Sequence, residues 1–170
     1  MELAYDAEVP AGTDNAPVML PFMNDYAALL RRQIVDGVQN GDRPLEGLHI
    51  VVDAGNGVGG FYADQVLAPL GADVSGSQFL EPDGMFPNHI PNPENKGAID
   101  AASKMVLDSS ADLGLIFDTD VDRMGCIGAT GQEINRNTLV ALAAAICAGG
   151  SPGHHSGDRQ PDLRRSAHLY

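Results

Sequence analysis

The stretch FDTDVDRMG, Phe117 to Gly125, places Asp118, Asp120 and Asp122 at alternate positions, after an apolar run and directly before Arg123. Two unit charges about 4 Å apart interact by roughly 4 kcal/mol at an effective dielectric near 20, so three converging carboxylates call for a cation or for protons between them. Folded around one centre, they offer hard oxygen ligands of the kind Mg²⁺ takes. A solvated acidic turn is the bland alternative. It is disfavoured because the loop follows a buried strand, at the end where open α/β sheets place their ligands. Arg123 is placed either to bind a phosphate bidentately or merely to neutralise its neighbours; spacing alone leaves both readings open.

Other chemistries can be weighed by position. An EF-hand needs Gly where Arg123 stands and a bidentate Glu where Ala129 stands, so it fails. A haloacid-dehalogenase-type phosphatase would use Asp118 as nucleophile and Asp120 as acid/base, but it needs a downstream lysine and none follows Lys104. Gly55, Gly57 and Gly60 in VVDAGNGVGG spell G-x-G-x-x-G after a strand, the context of a dinucleotide fingerprint. The acidic residue expected at the end of the next strand is missing, so glycines serving a tight strand-to-helix turn are the favoured reading. His89, in FPNHIPNP, is a candidate for contacting an anionic substrate or for acid/base work. Its bland reading is a loop histidine holding backbone groups.

These residues need elements to position them. Tyr26, Leu29, Leu30, Ile34, Val35 and Val38 recur at helical spacing, with Asn24 or Asp25 as N-cap, which predicts a connecting helix within residues 21–44. LHIVVD reads as a buried strand, followed by a helix from about Val58 to Leu70 and a second strand around ADVSG. The Pro- and Asn-rich EPDGMFPNHIPNPEN reads as a rigid loop leading into a helix from about Glu94 to Asp108. DLGLIF and MGCIGA are a third and fourth strand joined by the aspartate loop. TLVALAAAIC is a nearly all-apolar helix, expected to be buried against the sheet or another domain. Together they predict a three-layer α/β/α domain over residues 45–150, with a four-stranded, mostly parallel sheet whose last strand is antiparallel.

Composition narrows the function. The net charge is −13, with Lys96 and Lys104 the only lysines, which argues against binding a nucleic-acid backbone. No apolar run is long enough to span a bilayer and the N-terminal residues have no apolar signal core, so neither membrane nor secretion is expected. Cys126 and Cys147 lack metal-ligand spacing and read as buried reduced thiols, in keeping with a cytoplasmic protein.

PLEGLHIVVDAGNGVGG, EPDGMFPNHIPNPEN and LGLIFDTDVDRMG, in this order, resemble the second domain of the α-D-phosphohexomutases, the phosphoglucomutase/phosphomannomutase superfamily. The resemblance implies that Asp118, Asp120 and Asp122 bind Mg²⁺, and that Arg123 lies in the active-site cleft near the sugar phosphate; His89 stays a second substrate-binding candidate on its residue type alone. It implies an isomerase reaction, phosphate moving between the 1- and 6-positions of a hexose, with other domains of the same enzyme as partners. The family's spacers between these acids are commonly Gly or Ala; Thr119 and Val121 replace them here. The family's phosphoserine, sugar-binding and phosphate-binding motifs have no counterpart in these 170 residues. The chain is therefore expected to carry the cation cradle without a catalytic nucleophile and to have no mutase activity alone. Residues 1–20 read as a remnant of a first domain or as disordered. Residues 151–170, read one nucleotide later, resemble the opening of the family's third domain, so a frameshifted or disordered tail is expected. The competing class is a non-catalytic Rossmann-like module that binds a nucleotide or a protein.

Overall fold

The computed structural model describes residues 20–149, with side chains through Ile146. The expectations for residues 1–19, for the side chain of Cys147 and for residues 150–170 lie outside the described residues.

Ile50–Asp53 (β1), Leu113–Phe117 (β2) and Met124–Gly128 (β3) form a sheet in the order β1-β2-β3. β1 and β2 are parallel, with Val51 opposite Gly114 and Asp53 opposite Ile116. β2 and β3 are antiparallel, Phe117 facing Met124 across the aspartate loop. Successive side chains of a strand point to opposite faces, and both faces are covered here. Val51, Ile116 and Ile127 pack on one side against Ala98, Ala102, Met105 and Val106 of the helix Lys96–Ser109. Ile50, Val52 and Phe117 pack on the other against Ala63 and Leu67. Val51, Val52, Ile116 and Ile127 have no exposed surface, and burying each side chain of this size contributes about 1.5–3 kcal/mol.

The sheet has three strands among the described residues, not the expected four. ADVSG stays beside β1 without becoming a strand. Ile50 N–H donates to the Asp73 carbonyl at 2.8 Å and Gln78 N–H to the Val52 carbonyl at 2.8 Å, but the residues between them turn away. Gly76 is left-handed, at φ +92°, and the Ser77 Oγ, not a backbone carbonyl, accepts the Val52 N–H at 3.0 Å. A Gly in a strand interior commonly marks such a bulge.

The helix expected from Val58 to Leu70 has the expected extent but an irregular winding: a 3-10 turn at Val58–Gly60, a π-helical stretch at Tyr62–Leu67 and a second 3-10 turn at Ala68–Leu70. Pro69 has no N–H, and its ring crowds the carbonyl four residues back, Gln65. That carbonyl is instead taken by the Arg31 guanidinium of the connecting helix Met23–Val38. This helix, α1, packs Ala27, with Leu30 and Ile34 beside it, on Val66 and Leu70 as an outer layer. It begins at Met23 after Phe22, so Asn24 and Asp25 lie in its first turn and do not cap it. The helix Lys96–Ser109, α2, is capped by the Asn95 side chain, which accepts the Gly97 N–H at 2.8 Å.

The last helix, α3, spans Arg136–Gly149. Its expected burial against the sheet is not found: Leu139 is partly buried, and the other described side chains, including Val140, Leu142 and Ile146, are exposed. An apolar surface states that a helix wants cover, not which element supplies it. No helix of the described residues is long and apolar enough to cross a membrane.

Candidate metal centre

β2 ends at Phe117 and the chain turns at once, so Asp118 stands at the carboxyl edge of the sheet, one residue beyond its last pair with β3. The loop closes on itself. Asp118 N–H donates to the Arg123 carbonyl at 3.2 Å, and the Arg123 N–H returns to Asp118 Oδ1 at 3.1 Å. The Arg123 Nε donates to Asp118 Oδ2 at 2.9 Å. Between them Val121 is left-handed, at φ +66°, a conformation that costs an L residue about 1–2 kcal/mol. Its side chain packs on the cluster around Phe117, which helps to hold the tight turn.

The closure brings Asp118, Asp120 and Asp122 together: each can offer one carboxylate oxygen, all within 4.8 Å of one another. Asp118 is buried, while Asp120 and Asp122 are exposed. Their charges are unequal in cost. Burial pushes the Asp118 carboxyl up, but the Arg123 N–H, a hydrogen bond with Asp122 and the Arg123 guanidinium outweigh it and leave the group below the ordinary carboxylate value. Asp122 is pushed up by its hydrogen bond with Asp118, then by the charges of Asp120 and Asp118. The carboxylates of Asp118, chiefly through its hydrogen bond, and of Asp122 hold the Arg123 guanidinium above its usual value. One arginine therefore faces three acids, leaving a net deficit of positive charge. Three hard, oxygen-only donors with that deficit fit Mg²⁺ or Mn²⁺, which favour carboxylates and water, and lack the thiolate or imidazole of a softer site.

Arg123 lies in the loop as expected, its side chain about half exposed at 55%. It borders a cleft of about 660 Å³ that is walled mostly by apolar side chains of α3, Leu139, Val140, Leu142 and Ile146, with Asp122 and Arg136 at its polar side. Arg136 in turn pairs with Glu94 at the end of the Pro-rich loop.

His89 is placed differently from the aspartates. Its Nε2 meets the carboxylate of Asp53 at 2.9 and 3.0 Å, and its Nδ1 meets the Ile90 carbonyl at 3.0 Å, so both ring nitrogens have protein partners. The imidazole is 6% exposed and the Asp53 side chain not at all. Asp53, which sequence reading passed over, accepts in addition the Gly55 N–H at 2.9 Å and the Gln78 amide at 2.8 Å. Its only sequence signal is a carboxylate at the last position of an otherwise apolar strand.

The three glycines of the fingerprint spacing are used internally. A Cβ on Gly55 would meet His89 and Pro91 at 3.0 Å, on Gly57 the Thr119 carbonyl at 2.7 Å, and on Gly60 the Leu80 carbonyl at 1.9 Å. Their missing side chains make room for protein, as a tight strand-to-helix turn requires. Cys126 is buried in β3, and burial pushes its thiol up.

Residues 24–131 match the family model for the phosphoglucomutase/phosphomannomutase alpha/beta/alpha domain II. Over 106 residues the chain is 39% identical to a phosphomannomutase/phosphoglucomutase of Pseudomonas putida, which is 62% of this chain and 23% of that protein. It is 36% identical over 106 residues to a phosphoglucomutase of Neisseria gonorrhoeae, again 62% of this chain and 23% of the relative. A protein of Xanthomonas campestris named for phosphohexose mutases is 41% identical over 109 residues, 64% of this chain and 24% of its own length. Among solved structures, a phosphoglucomutase/phosphomannomutase family protein from Burkholderia thailandensis superposes with a TM-score of 0.56 at 31% identity, covering 68% of this chain and 25% of that one. The chain thus spans about a quarter of the length of the relatives it matches.

Proposed function

The chain belongs to the phosphoglucomutase/phosphomannomutase family, through its alpha/beta/alpha domain II, and from that premise we propose that it supplies the divalent-cation cradle of a sugar-phosphate mutase. The observation that carries this reading is the convergence of three carboxylate oxygens, from Asp118, Asp120 and Asp122, within 4.8 Å at the end of β2.

In this reading Asp118, Asp120 and Asp122 hold Mg²⁺, and Asp118 is the best-fixed ligand because it is buried and anchored by both the main chain and the side chain of Arg123. When bound, such a cation acts as a Lewis acid that draws charge from a phosphoryl group in transfer. The half-exposed Arg123 guanidinium offers the fork of donors that suits a phosphate. His89, committed on both ring nitrogens, serves the reading as support for the loop next to the site.

Interconversion of hexose phosphates, the substrate and the partner domains are proposed for the whole enzyme. For this chain alone the expectation is cation binding without turnover. The test is twofold: Mn²⁺ or Mg²⁺ binding that is lost in Asp120→Asn, and no hexose-phosphate interconversion by the chain with Mg²⁺ and a glucose bisphosphate activator. Nucleotide binding that ignores the metal would favour the Rossmann-like alternative, and turnover by the chain alone would overturn the division of labour.

A further inference from the structure

The Gly-rich turn after β1 forms part of the wall of the acidic loop. Val58 donates its N–H to the Thr119 carbonyl at 3.0 Å, and Thr119 is the residue between Asp118 and Asp120. A Cβ on Gly57 would stand 2.7 Å from the Thr119 carbonyl oxygen and 2.9 Å from its Cα. Gly57 itself has φ −81° and ψ −166°, which any L residue can adopt. What this position excludes is therefore a side chain, not a backbone shape.

The turn has little freedom to retreat. Gly55 N–H is tied to Asp53 at 2.9 Å, and Gly55 backs directly on His89 and Pro91. Asp53 is held in turn by His89 and Gln78. A methyl group at Gly57 would have to displace the Thr119 main chain, because the opposing atoms belong to a backbone and not to a rotatable side chain.

We propose that Gly57 is a positioning residue for the divalent cation at Asp118, Asp120 and Asp122. Its bare Cα lets the acidic loop settle against the turn, and the buried Asp53–His89 pair supplies the rigid backing. This rests on the cation reading above. Groups that orient metal ligands without touching the metal typically change affinity by about 10- to 100-fold when altered.

The test is the Mn²⁺ affinity of the full chain, read from the paramagnetic resonance of the free ion. Wild type is compared with Gly57→Ala, Gly84→Ala and Asp120→Asn, with far-UV circular dichroism to confirm folding. Gly84 is the control, since a Cβ there meets nothing within 4 Å. Wild type and Gly84→Ala are expected to bind alike and Gly57→Ala roughly tenfold or more weakly, with its helical signal kept. Equal affinity of Gly57→Ala and wild type overturns the positioning role and leaves the cation reading standing. Equal affinity of wild type and Asp120→Asn overturns the cation reading and this inference with it. A second measurement decides the matter should Gly57→Ala not fold: in wild type, Mg²⁺ is expected to shift the Val58 amide resonance together with those of residues 118–122. A Val58 resonance that stays put while they move contradicts the coupling.

Discussion

Arg123 holds Asp118 from two directions, its main-chain N–H at 3.1 Å and its Nε at 2.9 Å, each on a different carboxylate oxygen. A buried carboxylate is thus neutralised by a residue five positions on, and the loop between them is drawn into a ring that carries the other two acids. Arg123→Gln keeps the main-chain bond and removes the charge. In EDTA it is expected to lower stability by about 1–3 kcal/mol, the cost of leaving a buried charged group short of a partner. Mg²⁺ should recover most of that loss by replacing the missing charge. Thermal melts with and without Mg²⁺ check it; an equal deficit in both conditions would count against a shared role for arginine and cation.

Asp118 and Asp122 act on stability with opposite signs. The folded Asp118 carboxyl lies below its ordinary value, so its contribution is present above the ordinary carboxylate range and is lost as pH falls through the folded value. Asp122 lies above its ordinary value, so its contribution is present at low pH and lost as pH rises through the folded value. Asp122→Asn removes a carboxylate whose ionisation opposes folding. It is expected to melt higher than wild type in EDTA at pH 7 and to show no such advantage at pH 3, while gaining less from Mg²⁺. A lower melt than wild type at pH 7 in EDTA would refute the sign.

The Asp53–His89 pair is buried on both sides. Removing one partner of a buried hydrogen bond typically costs about 1–3 kcal/mol, because the other group is left short of a partner. Asp53 keeps the donors of Gly55 and Gln78, but the buried imidazole and its two hydrogen-bonding nitrogens are lost, so His89→Ala is expected to cost about 2 kcal/mol. Urea unfolding measures it, and a loss below about 1 kcal/mol would show that the pair does not anchor the turn.

Gly60 separates packing from chemistry. A Cβ there would lie 1.9 Å from the Leu80 carbonyl oxygen, too close for any rotamer change to relieve. Gly60→Ala is expected to cost about 3 kcal/mol, at the upper end of overpacking effects. In urea unfolding, a change under about 1 kcal/mol would mean that the segment after Leu80 yields easily.

Much of this was legible in the sequence because its signals are local. The apolar runs LHIVVD, DLGLIF and MGCIGA became β1, β2 and β3, and alternate acids after a buried strand marked the loop that brings their oxygens together. The remainder depends on contacts between distant residues. ADVSG has strand composition, yet Gly76 and the Ser77 hydroxyl turn it off the ladder after one pair. The Val58–Leu70 segment has helical spacing, but Pro69 denies one bond of the regular ladder and hands the Gln65 carbonyl to Arg31. Asp53 and His89 stand 36 positions apart, with nothing nearby in either stretch to announce the pairing. The apolar α3 shows the limit most plainly: its composition asked for burial, and the described residues give it little cover.

The central claim is that Asp118, Asp120 and Asp122 act together on one divalent cation. Paramagnetic broadening by substoichiometric Mn²⁺, followed amide by amide in a two-dimensional NMR spectrum, tests it most directly. The expected result is early loss of the signals of residues 118–123 and of Val58, reversed by excess Mg²⁺ and absent in Asp120→Asn. Broadening that begins at other acidic residues, or that survives Asp120→Asn unchanged, would contradict it.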